Sequence, residues 1–487
     1  MVARRGVGEL GGLRRRLLGT LALLAIFGVL GLMPLPGIDP KQAIALGSRM
    51  SLLAIGVAPC ASAFVTVEWA ALLWPGWRRH RLSLAGREKL DRAVGIVSLA
   101  LGAMQVFGVV LAIEHLNDTD PKIPLLQGNA EAFVGLSLFI GILLAFFLAR
   151  AISKLGLLNG FSVLTWLQAM RLSTVHGDTS AASTPGHDPH PVALLCAFVL
   201  PLLATAVCFS KRKVTDGESE ALAPFELPVP ASSMHPSAFV VALLAMPAAL
   251  SMFFPNAMRP LLSWLGQFGE NPWMRAALTL CVGVVLLWAF GRPSRVRALY
   301  ARAVGTNAAP KLAQRAFRDS IAPTLLLLLT LALSELLIET EFEIRNLTPL
   351  IPTGVAIFID LVAAMRLHAS GDWACAWRDP RPYVFPVVQR VLRSSEIPAR
   401  ELSLAQTTLF RIFAPYALSE VWVPAPLAAQ ATTLIEERLG ASNDEQLEVE
   451  ASELEESDER GGQRRRRLYW LAALAVVACV ATLSTHR

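Results

Sequence analysis

The sequence predicts an all-α polytopic membrane protein that carries a small α+β unit toward its C-terminal end, and three observations carry that prediction. Hydrophobic residues make up 54% of the 487 residues and charged ones 17%, with a mean hydropathy of +0.49. That balance is too apolar and too charge-poor for a soluble chain of this length. Apolar runs near the length of a hydrocarbon crossing recur along the chain. A crossing helix needs roughly 20 such residues, because every backbone N–H and C=O must be satisfied inside the segment. Between Asp372 and Leu439 the pattern changes to short apolar strands and amphipathic helices.

The apolar runs are Leu17 to Leu35, Ser51 to Trp74, Ala93 to Ile113, Ala132 to Ile152, Pro191 to Phe209 and Pro236 to Phe254. Met274 to Phe290, Ile321 to Ile338, Ile351 to Leu367 and Leu468 to Leu483 follow, with one short segment, Phe161 to Met170. Charge places the linkers. Those with Arg78, Arg79, Arg81, Arg87 and Lys89, with Lys154, with Lys211, Arg212 and Lys213, and with Arg292 to Arg315 belong on the cytoplasmic side. Those with Asp118 and Asp120, Asp178 and Asp188, and Glu339, Glu341 and Glu343 belong outside. Lys154 and Lys211 share a side only if two crossings separate them, so Phe161 to Met170 is expected to span as a short, protein-buried helix.

The expected organisation is a basic cytoplasmic N-terminus (1–16), a ten-helix membrane domain (17–368), a small cytoplasmic α+β domain (372–440), a charged linker (441–467) and a C-terminal membrane helix (468–484) ending outside. The acidic run Glu445 to Glu459 followed by Arg464 to Arg467 reads as a solvated linker and a positive stop beside that last helix. The arginines before Leu17 resemble the start of a signal peptide, but no small-residue cleavage site follows, so the first helix is read as uncleaved.

The net charge of +6 comes from clusters between apolar runs, which topology explains without specific nucleic-acid binding. The 6 cysteines never form CxxC and lie mostly in apolar runs, which points to neither a zinc site nor a disulfide framework. His176, His187 and His190 share one outer loop, but their spacing fits no metal motif. No Gly-x-x-x-x-Gly-Lys-Ser/Thr, HExxH or GxSxG occurs, so no enzyme chemistry, cofactor or metal is expected.

Pro34-Leu35-Pro36-Gly37-Ile38-Asp39, closing the first run, resembles a signature at the same place in the SecY/Sec61 protein-conducting channel pore subunit. Ser51 to Ala63, with Gly56 and Pro59, is similar to that family's gate helix, and Ala85-Gly86-Arg87-Glu88-Lys89 follows at its cytoplasmic loop. Ala151 to Gly160 resembles the loop before the fifth helix. Phe225 to Pro228, with Pro236 and Pro247, resembles the seventh helix and its approach, and Asp360 matches in the tenth. The resemblance spans Leu17 to His368 in order. It implies an inverted pair of five-helix halves around an hourglass pore in a bacterial inner (cytoplasmic) membrane, with the N-terminus cytoplasmic. It also implies a lateral gate between the second helix (Ser62, Glu68) and the seventh (Pro236, Phe239), SecE/SecG-like single-helix partner subunits, a ribosome or motor ATPase, substrate polypeptides, and lipids at the gate.

Several positions depart from that pattern. Only Pro40 to Met50 stands where the family has a longer plug. Its aliphatic pore ring aligns with Val57, Ala61, Thr165, Ala169, Ala238 and Thr353, which are small or hydroxylated, so a dewetting seal is expected to be poor unless the helices close together. The loop from Gly291 to Asp319 lacks the family's docking tip, although Arg292, Arg295, Arg297, Lys311 and Arg315 keep a basic face that a cytoplasmic loop would carry in any case. Glu68 reads either as a gate carboxylate or as a snorkelling one near Trp74. Asp360 reads either as a pore residue or as one half of a buried helix pair with Arg366 or of a polar interhelical contact.

In the C-terminal part the expected order is strand Trp373 to Trp377, helix Val384 to Ser394, strand Ala399 to Leu402, strand Ser419 to Val423 and helix Leu427 to Leu439. Val391 to Ala399 and Glu420-Val421-Trp422-Val423-Pro424 resemble small signal-transducing-type domains of βαββα type, implying binding or regulation; a folded spacer is the alternative. The functions that remain open are a divergent translocase pore subunit and a non-conducting membrane scaffold acting through its cytoplasmic domain; a third, a solute transporter, would need a dedicated polar midplane site, for which only Asp360 and scattered hydroxyls offer themselves.

Overall fold

A computed structural model describes residues 13–38, 51–73, 84–119, 130–156, 158–168, 199–204, 212–214, 225–227, 271–291, 309–342, 350–379, 384–402 and 419–439, with Trp77, His80 and Cys196. The run Pro236 to Phe254, the acidic linker, the last helix and most of the run Pro191 to Phe209 lie outside the described residues.

In chain order the membrane part holds α1 (Leu13–Leu32), α2 (Ala58–Leu73), α3 (Leu84–Thr119), α4 (Glu131–Leu155), α5 (160–168), α6 (Pro272–Gly291), α7 (Ala309–Phe342) and α8 (Leu350–Ala369). A two-stranded antiparallel hairpin, β1 (Arg212–Val214) and β2 (Phe225–Leu227), comes between α5 and α6. Among the described residues, four helical stretches are long and apolar enough to cross a membrane: Arg15–Leu32, Glu88–Glu114, Glu131–Leu155 and Ala313–Ser334. Their outward residues are Leu, Ile, Val and Phe, among them Leu18, Val29, Ile96 and Phe147. That is the surface a helix turns toward hydrocarbon rather than water.

Small residues set the spacing between helices. An added Cβ at Gly102 of α3 would press on Ile142 of α4 at 3.3 Å, and one at Gly283 of α6 would meet Leu328 of α7 at 2.5 Å. Without a side chain at these points the helix backbones approach closely, which is how helices associate where lipid removes the hydrophobic drive. Phe161, fully buried at the start of α5, makes edge-on ring contacts with Phe64 of α2 and Phe146 of α4, centroids 5.8 and 5.9 Å apart. Offset edge contacts of this kind add about 0.5–1.5 kcal/mol each beyond burial.

Two elements differ from expectation. The second run is helical only from Ala58; residues 51–57 form turns, because Gly56 sits at φ +56° and Pro59 fits only the first turn of a helix. The helix of the run Ile321 to Ile338 starts earlier than expected. α7 begins at Ala309, so part of the basic loop is helix rather than loop.

The small unit has β3 (Trp373–Asp379), α9 (Val384–Ser394), β4 (Arg400–Leu402), β5 (Ser419–Pro424), a 3-10 turn Ala425–Leu427 and α10 (Ala428–Leu439). The sheet is antiparallel with order β3-β5-β4, so the last strand in sequence is central. Val388, Leu392, Val421, Val423, Ala431 and Ile435 form its core. The sheet is continuous with the membrane part, since Ala364 and Leu367 of α8 pack against Cys375, Leu402 and Trp422.

Candidate channel constriction and a buried ion-pair anchor

The first of the residues aligned with the pore ring, Val57, lies where three elements meet. The stretch 51–57 enters from the end of α1, with the amide of Leu52 donating to the carbonyl of Met33 at 3.0 Å. It lies against Gly141 of α4, where a Cβ would overlap the carbonyl oxygen of Leu52. Non-helical backbone at membrane depth must find its hydrogen bonds within the protein. Here α5 supplies them. Gln168 Oε1 accepts from the amide of Val57 at 3.3 Å, and Gln168 Nε2 donates to the carbonyls of Ala54 at 3.2 Å and Ile55 at 3.0 Å.

α5 is held in register by its own start. Asn159 Oδ1 accepts from the amide of Ser162 at 3.1 Å, a side-chain cap on the new helix. The amide of Gly160 donates to Ser153 Oγ at 2.9 Å, tying α5 to the end of α4. A Cβ at Gly160 would overlap the carbonyl of Ala149, so only glycine lets the two helices join this tightly.

Of the six residues aligned with the pore ring, Val57 is 1% exposed and Ala61 and Thr165 are half-buried. The Thr165 hydroxyl donates to the carbonyl of Phe161 at 2.7 Å, within its own helix. Thr353 is in α8; its side chain, like Ala169 and Ala238, lies outside the described residues. Its neighbour Gly354 faces Trp166, whose Nε1 is 3.1 Å from where a Cβ would stand. The structure therefore brings Trp166 and Gln168, which sequence reasoning passed over, into the space beside the small ring residues. Their only sequence signal was a long polar and a bulky aromatic side chain in the shortest apolar run.

Of the expected gate residues, Ser62 is half-buried in α2 and its carbonyl accepts from Thr66 Oγ1 at 2.8 Å. The Glu68 side chain, Pro236 and Phe239 lie outside the described residues. In the basic loop, Arg292, Arg295 and Arg297 are also outside; Lys311 and Arg315 are exposed on α7, with Arg315 Nε 4.0 Å from Asp319 Oδ2. Asp360 is 4% exposed in α8, whereas Arg366 is exposed.

A second polar centre lies at one end of the helices. Arg16, the last residue of the expected basic segment 1–16, is inside α1 and 3% exposed. Burial is possible because Arg16 Nη1 donates to Glu420 Oε1 at 3.0 Å and Oε2 at 2.8 Å, and its guanidinium lies 5.1 Å from the Trp422 ring centroid. Glu420 also accepts from Trp422 Nε1 at 3.0 Å, and Arg378 Nη2 stands 2.8 Å from its Oε1. Burial pushes the Glu420 carboxyl above its ordinary range, against the opposing pull of Arg16 and the indole hydrogen bond. The same burial, with Glu420 nearby, pushes the Cys375 thiol well up and leaves it an unreactive core residue. Arg378 Nη1 reaches the carbonyl of Lys154 at 3.4 Å, and α9 packs against β2. Among the described residues no cluster of His, Cys, Asp and Glu could hold a metal ion.

No family model matches the chain. It is similar to protein translocase subunit SecY of Mycoplasma pneumoniae, 28% identical over 166 residues, which cover 30% of this chain and 35% of that protein. With SecY of Escherichia coli K12 it is 24% identical over 286 residues, 51% of this chain and 63% of that one. With SecY of Buchnera aphidicola subsp. Baizongia pistaciae it is 23% identical over 302 residues, 52% and 65%. The chain thus spans from about a third to just under two thirds of the length of these relatives. Solved structures described as "The structure of a protein conducting channel" and "Sec61 in the Canine ribosome-channel complex from the endoplasmic reticulum" each cover 72% of this chain and 95% of their own, at 12% identity and TM-scores of 0.44 and 0.41. By its sequence the chain is a divergent SecY-like membrane protein.

Proposed function

We propose that the chain is a SecY-type pore subunit that passes unfolded polypeptide across the membrane, or sideways into it, without chemistry of its own. The observation that carries this reading is the sequence match to translocase subunit SecY over about half of the chain. The geometry agrees with it: a non-helical stretch is held inside a helical bundle, next to the residues aligned with the pore ring. Backbone of that kind is tolerated at membrane depth only where protein or a polar pathway receives it. The N-terminus is on the cytoplasmic side in this proposal. Arg16, Lys154, the β1-β2 hairpin and the small unit gather at one end, the end to which lysine and arginine bias assigns the cytoplasm. Small single-helix subunits of the SecE and SecG kind are the proposed partners.

A second reading is a non-conducting scaffold working through the small unit; the firm docking of that unit through Glu420 favours it. A photo-crosslinker placed at Thr165 separates the two in vesicles supplied with a stalled secretory chain. Crosslinks to that chain, with small single-helix subunits in the purified complex, support the channel. Neither crosslinks nor such subunits would leave the scaffold.

A further inference from the structure

The residues aligned with the ring are small, and α5 reaches two neighbours beside them from different sides, Gln168 the stretch 51–57 that leads into α2 and Trp166 Gly354 of α8. We infer that Gln168 is the closing element of the pathway: one rotatable amide holds the stretch 51–57 shut, in place of an aliphatic ring. This rests on the channel reading above.

A primary amide offers an acceptor and two donors at one end. Gln168 uses them on three backbone groups of a single stretch, the amide of Val57 and the carbonyls of Ala54 and Ile55. Asparagine is one methylene shorter, and glutamate has no donors. Gly56, at φ +56°, makes the approach possible, since a Cβ there would overlap the Gln168 amide. On its other side the stretch rests on Gly141 of α4, backbone against backbone. One wall is therefore fixed helix and the other is a side chain. Turning Gln168 away releases three backbone groups at once, and in a wet pathway water can receive them. A dewetting seal of narrow aliphatic walls opens when the walls part; this one opens when a set of hydrogen bonds is exchanged. Gln168 is a positioning residue. It acts by holding the stretch.

The test uses the full-length protein, cysteine-free except for Leu53→Cys, in proteoliposomes and planar bilayers. Leu53 is 2% exposed in the held stretch. Labelling by a membrane-impermeant maleimide reports the position of the stretch, and ion conductance reports the pathway. Slow labelling and low conductance are expected with Gln168 present. Gln168→Ala should raise the labelling rate about tenfold or more and raise conductance with it. Gln168→Glu, which keeps length and acceptor but loses both donors, should do the same and serves if the alanine variant does not fold. Unchanged labelling in both variants overturns the inference, whatever the conductance. Faster labelling with no conductance in any variant, Trp166→Ala included, overturns the closing role by removing the channel beneath it.

Discussion

Arg16 and Glu420, 404 positions apart in sequence, form a buried ion pair at 2.8 Å with side chains 4% and 8% exposed. The start of the first membrane helix and the central strand of the C-terminal sheet are one structural unit. The small unit is thereby seated on the helix ends, where Arg378 and the α9 contact with β2 add two further points of attachment.

Removing the carboxylate should undo that seat. Glu420→Ala leaves Arg16 and Arg378 without their common counter-charge and should cost about 3–5 kcal/mol, as breaking a buried pair does. The loss is read as a lower Tm and faster proteolysis of the small unit. Arg315→Ala, on an exposed i, i+4 pair with Asp319, should change Tm little, since such pairs contribute about 0.3–0.5 kcal/mol.

The same carboxyl should give the seat a pH dependence of definite sign. Burial is the largest influence on Glu420 and raises its pKa above the ordinary 4.5, with Arg16 the largest opposing one. The folded protein then binds this proton more tightly than the unfolded chain. Its stabilisation is complete below the ordinary carboxylate range and is lost as pH rises through the raised value, with a slope of at most about 1.4 kcal/mol per pH unit. Glu420→Gln should flatten this part of the Tm against pH curve. A Tm that instead climbs with pH in that window, and loses its climb in the glutamine variant, would reverse the assignment.

Two glycines in neighbouring helices should behave oppositely. Gly141→Ala forces a methyl into the carbonyl of Leu52 and should destabilise by about 1–3 kcal/mol, as overpacking does. At Gly95 of α3 an added Cβ meets nothing within 4 Å, so Gly95→Ala should be neutral or gain up to about 1 kcal/mol from helix propensity. Thermal unfolding in detergent distinguishes them.

The cap on α5 should be worth a measurable amount. Asn159→Ala removes the acceptor for the amide of Ser162 and should cost about 0.5–2 kcal/mol. Because Gln168 lies at the other end of that short helix, the loss should also appear as faster labelling at Leu53→Cys.

The small unit was legible because its signals are local. Alternation marks β3 and β5, and amphipathic spacing marks α9, whose expected bounds match the observed Val384–Ser394. Apolar runs located the membrane helices for the same reason, though α3 and α7 continue past the hydrocarbon length into charged turns that hydropathy does not see. The break before Ala58 was written in Gly56 and Pro59, but an unbroken apolar run hid it. The two polar centres were not legible. Arg16 looked like one of five arginines in a basic N-terminal segment and Glu420 like an ordinary charge in a half-exposed strand. Only tertiary structure shows that they bury one another. Gln168 was invisible in the same way, since its partners are backbone groups more than a hundred residues earlier.

The central place of β5 sets an order of events during synthesis. At about 5–20 residues per second, roughly 20–80 s separate the appearance of Arg16 from that of Glu420, 404 positions later. Throughout that interval α1 must keep a hydrated guanidinium at its aqueous end, and β3 and β4, once made, lack the strand that pairs them both until its close. The arrival of Ser419–Pro424 completes the sheet and dehydrates the first helix in one step. A nascent chain that stalls before this strand therefore leaves its first helix with an open, charged end.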